Sequence, residues 1–94
     1  MSRRAAKVDA NQSIIVDALR AAGVSVQSLA EVGDGCPDLL CGINCFNFLI
    51  EIKSGNETFN SRQKVWHSGW RGNAHVARTV DEALAIAEHY RRRS

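Results

Sequence analysis

Asn47-Phe48-Leu49-Ile50-Glu51-Ile52-Lys53, followed at once by Ser54-Gly55-Asn56, sets the architecture of this chain. The run is rich in aromatic and β-branched residues and ends on a turn signal, so it reads as a strand. Side chains alternate across a strand, which sends Glu51 and Lys53 to one face and Ile50 and Ile52 to the other. An apolar strand that closes with an acid and a base on one face implies that this face is used. Upstream, Gly35-Cys36-Pro37-Asp38-Leu39-Leu40 opens a second apolar strand with a carboxylate directly after the only proline.

Between these two runs, residues 42–45 read as a turn joining strands over 38–41 and 46–53. Residues 24–29 alternate like a strand, and 31–37 form a loop holding Gly33, Gly35 and Pro37. Residues 9–22 place Ile14, Ile15, Ala18, Leu19 and Ala22 at helical spacing, with Gly23 where a C-terminal cap belongs. Residues 59–70 return to helical spacing, with Gln63, Trp66, His67 and Trp70 near one face. Residues 74–79 read as a strand. A last helix, from 80 or 81 to about 92, turns Ala83, Leu84, Ile86, Ala87 and Tyr90 inward. Hairpins make the first three strands antiparallel, and the helical crossover brings in the fourth parallel. The expected fold is α/β, a mixed sheet of about four strands with helices on both faces, in the order αβββαβα.

The 94 residues make one small domain, 1–94, with basic tails at 1–8 and 91–94. So short a chain buries a modest share of its surface, and dimerisation would extend its core. A composition of 45% hydrophobic and 23% charged residues excludes the disordered and collagen-like classes. No apolar run approaches the ~20 residues of a membrane helix, and Met1-Ser2-Arg3-Arg4 opens no secretory signal. The expected location is the cytoplasm. Cys36, Cys41 and Cys45 are odd in number and match no zinc knuckle, so they read as reduced, small apolar residues. A net charge of +2 gives no strong attraction to a polyanion. The cations are clustered, however: Arg3, Arg4 and Lys7 at one end, Arg91, Arg92 and Arg93 at the other, and Lys53, Arg62, Lys64 and Arg71 between. Such groups read as solvated faces unless a phosphate-processing site lies near.

In the hairpin, position 38 pairs with position 50, give or take two, so Asp38 and Glu51 approach each other across the strands. Two carboxylates held together raise each other's pKa unless a cation lies between them. A hard divalent metal suits such ligands, and Mg²⁺ typically takes one or two carboxylates plus substrate phosphate. Lys53 alongside is placed to orient or deprotonate a water, or to hold the phosphate. The reaction class is metal-assisted phosphodiester hydrolysis. The same residues also read as a turn-initiating aspartate and a salt-bridged solvent edge. The apolar character of both strands weighs against that edge.

Gly35 to Leu40, Leu49-Ile50-Glu51-Ile52-Lys53, and Gln63 with Trp66 in the next helix resemble the PD-(D/E)xK nuclease superfamily. Within it, the chain is similar to the virus-type replication-repair nuclease (VRR-NUC) branch, in the small stand-alone form of phages and bacteria. The resemblance runs from about residue 9 to about 87 and includes Trp70-Arg71-Gly72. It implies a restriction-endonuclease-like fold with Mg²⁺ or Mn²⁺ held by Asp38, Glu51 and the Ile52 carbonyl. It also implies Lys53 as catalytic lysine and Gln63 as a helix residue facing the site. Relatives usually add an acid from the first helix. Asp9 is the only acid near that helix start, and an N-cap role is equally open to it. Where the family often has Leu-Thr-Pro, this chain has Thr58-Phe59-Asn60-Ser61, with Asn60 or Ser61 available as a cap.

Stand-alone members are similar to Holliday-junction resolvases, so the resemblance implies a homodimeric endonuclease for four-way or other branched DNA. Arg62, Lys64 and Arg71 are then candidate phosphate contacts. The alternative is a nuclease-fold module that binds DNA and cuts weakly or not at all. Trp66 and Trp70 read as core or dimer-interface anchors, with base stacking as a second reading. His67 reads as a packed or surface residue, with proton shuttling as the other option.

Overall fold

The computed structural model describes residues 10–93; Asp9, Arg3, Arg4 and Lys7 lie outside the described residues. Among the described residues the chain runs through α1 (Ala10–Ala21), β1 (Ser25–Ser28), β2 (Leu39–Ile43), β3 (Phe46–Ile52), α2 (Ser61–Gly69), β4 (Ala74–Ala77) and α3 (Val80–Arg91). The sheet order is β1-β2-β3-β4, antiparallel through β3 and parallel between β3 and β4. The α/β mixed sheet and the element order agree with the expectation from sequence.

Local chemistry explains the breaks. The β2–β3 turn holds Asn44 and Cys45 at φ 53° and 67°, as in a type I′ turn, whose twist matches that of the strands. The amide of Asn44 also donates to Tyr90 O at 3.1 Å, tying the hairpin tip to the end of α3. At the end of α1, Gly23 takes φ 88°. There Val24 N donates to Leu19 O and Gly23 N to Arg20 O, both at 3.0 Å. These are the paired bonds of a glycine-terminated helix.

The core occupies one face of the sheet. Ile15 and Leu19 of α1 and Ala83, Ala87 and Tyr90 of α3 close over Leu39, Cys41, Phe48, Ile50, Ile52 and Ala77. Phe48 stacks on Tyr90 with ring centroids 4.5 Å apart, and the Tyr90 hydroxyl pairs with His75 Nε2 at 2.6 Å. The expected stripe on α1 is corrected at one position: Ile14 is 57% exposed. The buried stripe is Gln12, Ile15 and Leu19, and Ile14 lies about 100° round the helix from Ile15. All three cysteines are free, but only Cys41 is buried. None of the α2 side chains is buried, and α2 serves the other face. No helix among the described residues is long and apolar enough to cross a membrane.

Candidate active site

The site grows out of the β2–β3 register. Leu39 pairs with Ile50, so the next step along the hairpin brings Asp38 opposite Glu51, on the face away from the core. One step further, the same register would set Pro37 opposite Ile52. A proline has no N–H to give to the ladder, and the ladder ends there. The N–H of Ile52 is taken instead by Asp38 Oδ2, at 2.7 Å. Leu49 N and Lys53 N donate to Asn73 O and Ala77 O on the β4 side, so the polar groups of Ile52 face the β2 side. Its carbonyl therefore lies towards Asp38, with no proline N–H to accept from.

Glu51 is 3% exposed and Lys53 9% exposed, which rules out the solvent-edge reading. Gln63 Nε2 donates to Glu51 Oε2 at 3.0 Å, and the Lys53 ammonium lies 3.9 Å from the same oxygen. Among the described residues, the other oxygen, Oε1, is buried with no hydrogen-bond donor. The carboxyls of Asp38 and Glu51 are nonetheless within hydrogen-bonding reach. Two carboxyls can bond only while a proton is shared between them, so this pocket calls for a proton or a cation. Burial, and then the charge and hydrogen bond of Asp38, push Glu51 up to about 8 against the pull of Lys53.

Gln63 is the organising residue. Its Oε1 accepts from Lys53 Nζ at 2.7 Å and from Asn60 N at 3.0 Å. Asn60 Oδ1 in turn accepts from Gln63 N at 2.9 Å. This is a capping box at the start of α2, so one amide both caps the helix and aims the lysine. Of the two caps open to the sequence, Asn60 is the one used. Gly35 seats this helix end. It adopts φ 81°, and a Cβ there would lie 2.9 Å from Gln63 N.

Two contributors escaped the sequence reading. Asn11 donates to Lys53 O and Ser54 Oγ, each at 3.3 Å, pinning the end of β3 to α1. Its only signal was a polar residue in an early turn of an amphipathic helix. The Phe59 ring lies 5.9 Å beneath the Lys53 ammonium, a cation–π distance. Helical spacing had placed Phe59 inside α2, whereas it precedes the cap.

The remaining candidates lie apart from this network. Arg62, Lys64 and Arg71 are exposed, and Arg62 sits 3.7 Å from Asp34. His67 stacks on Phe59 at 4.2 Å; burial and then the Lys53 charge lower its pKa. It is a packed residue. The core reading of Trp66 and Trp70 is corrected: Trp66 is half-buried and Trp70 is 48% exposed. Their rings stack 4.5 Å apart on the wall of a groove of about 650 Å³ on the face that carries Glu51. α2 and Trp70, which caps it, lie over the sheet face opposite the core, so neither indole enters the core.

The donor set fits a hard cation. Asp38, Glu51 and the Ile52 carbonyl supply oxygens, and among the described residues Glu51 Oε1 has no hydrogen-bond donor. Among the described residues no three His, Cys, Asp or Glu side chains converge, so a cation there would have two carboxylates to meet. Mg²⁺ is commonly bound that way, with waters and substrate completing the shell. No protein-family model, curated protein or solved structure matches this chain.

Proposed function

We propose that this chain is a Mg²⁺- or Mn²⁺-dependent endonuclease of the VRR-NUC type that hydrolyses phosphodiester bonds in branched DNA, in the cytoplasm. The single observation that carries this reading is the meeting of Asp38 with buried Glu51 and Lys53, one Glu51 oxygen lying near Lys53 and the other buried without a hydrogen-bond donor among the described residues. Asp38, Glu51 and the Ile52 carbonyl would hold the metal, which supplies a lowered water pKa and charge neutralisation at the phosphate. Lys53, aimed by Gln63, orients the attacking water or a phosphate oxygen. Exposed Arg62, Lys64 and Arg71 contribute positioning contacts to the DNA backbone.

The four-way junction as substrate and the homodimer as acting unit follow from the sequence resemblance and from symmetry. Paired cuts across a junction need two sites related by a dyad. The test is incubation of the protein with a labelled four-way junction, a flap and a linear duplex, with Mg²⁺ or Mn²⁺ and then with chelator. Metal-dependent cutting of the junction, lost in Asp38→Asn, is the expected result. A folded protein that binds all three and cuts none is instead a DNA-binding module.

A further inference from the structure

We propose that the groove beside the carboxylates is a nucleobase subsite, which takes an unpaired base adjoining the bond to be cut. The inference rests on the nuclease reading and adds a substrate contact to it. Leu40 and Leu49 floor the groove, Trp66 and Trp70 wall it, and Asn47 and Asn73 lie at its side. Leu40 pairs with Leu49 across the hairpin, so both project to the face that carries Glu51. Leu49 precedes Glu51 by two residues on that face, about 6.7 Å along the strand. A nucleotide whose phosphate sat at the carboxylates would carry its base into the groove.

Cys36 joins the two regions. It lines the groove and stands two residues before Asp38 in the chain. The groove therefore adjoins the carboxylate end of the same sheet face. The wall is a pair of indoles stacked on each other, a broad apolar surface that adjoins the groove. Trp66 and Trp70 lie within 16° of parallel, and the Trp70 indole packs over Gly72, where a Cβ would come 2.9 Å from Nε1. Asn73 donates to Asn47 O at 3.0 Å, which sets amide groups beside the aromatic wall, where base edges need donors and acceptors. A base attached to the scissile strand enters with its phosphate already directed.

The test uses the whole chain with Ca²⁺ in place of the active metal, so that binding is read without cutting. A short single strand carrying 2-aminopurine should lose fluorescence on binding as its base stacks. Trp70→Ala should weaken that binding about 5- to 150-fold, with Trp70→Phe retaining most of it. An abasic site at the same position should weaken wild-type binding as much, and Trp70→Ala should then add nothing. The far-UV melting curve reports that the variant is folded.

Equal binding of base and abasic strands, or a silent Trp70→Ala, overturns the subsite; junction cutting under Mg²⁺ would show the nuclease reading still standing. Absence of both binding and cutting overturns the two together. If Trp70→Ala alters only the concentration dependence of sedimentation, the groove seats a second copy and the inference fails.

Discussion

The two faces of one sheet differ in kind, although the same strand supplies both. Even-numbered residues of β3 enter a closed apolar layer in which Phe48 and Ile50 are 1% and 0% exposed. Odd-numbered residues present a buried acid and base under a nine-residue helix that buries nothing of its own. The first face has two twelve-residue helices over it and pairs every large side chain with another. The second is closed at its polar end by a hydrogen-bond network and left open at its apolar end. A small chain can concentrate stability on one side and hold the other in a state suited to binding.

Three substitutions probe that division. Lys53→Ala should lower cleavage of branched DNA by about 10²–10⁴-fold, the range for a positioned proton-transfer group, as measured by single-turnover kinetics. On the core face, Phe48→Ala should lower stability by about 3–5 kcal/mol. Trp70→Ala on the open face should change it by about 1 kcal/mol or less. Paired urea titrations compare these two directly, and equal losses would mean that the faces do not differ as described.

The polar end should also show in pH dependence. The Glu51 carboxyl rises from 4.5 to about 8, so between those values the folded chain keeps a proton that the unfolded chain has released. In chelator, this group's stabilising contribution is full below about 4.5 and is lost as pH rises to about 8. Glu51→Gln, neutral throughout, should flatten that part of the profile. On the proposed metal site, added Mg²⁺ or Mn²⁺ should displace the proton, so its stabilising shift in Tm should grow with pH over the same interval. A profile unchanged in Glu51→Gln would remove the carboxyl pair as its source. The smallest effect belongs to Asn60→Ala, about 1 kcal/mol from the lost helix cap. Its accompanying fall in kcat would reveal a slackened Gln63.

Much of this was readable in the chain. The alternation from Phe48 to Lys53 assigns faces without any tertiary information, because the pleat has period two. Asn44 and Cys45 fell inside the predicted turn, and Gly23 marked the helix end. The Asp38–Glu51 approach followed from a hairpin with its turn near Gly42 to Cys45, within two residues of the observed register. Other features were hidden. Ile14 and Ile15 are equally apolar, and which one is buried depends on where α3 and the sheet lie around α1. Asn11 reaches Lys53 across 42 positions of sequence, so no local pattern announces it. Trp66 and Trp70 have helical spacing that fits a core stripe equally well, yet α2 lies over the less covered face.

Strand alternation, caps and turn chemistry are short-range, so residue order alone specified the elements, their succession and the face bearing the acid and base. The closeness of Asp38, Glu51, Lys53 and Gln63, and the orphaned oxygen among them, arose from packing between segments far apart in the chain. Burial strengthens electrostatic coupling and removes the alternative of water, and burial is a property of the assembled fold.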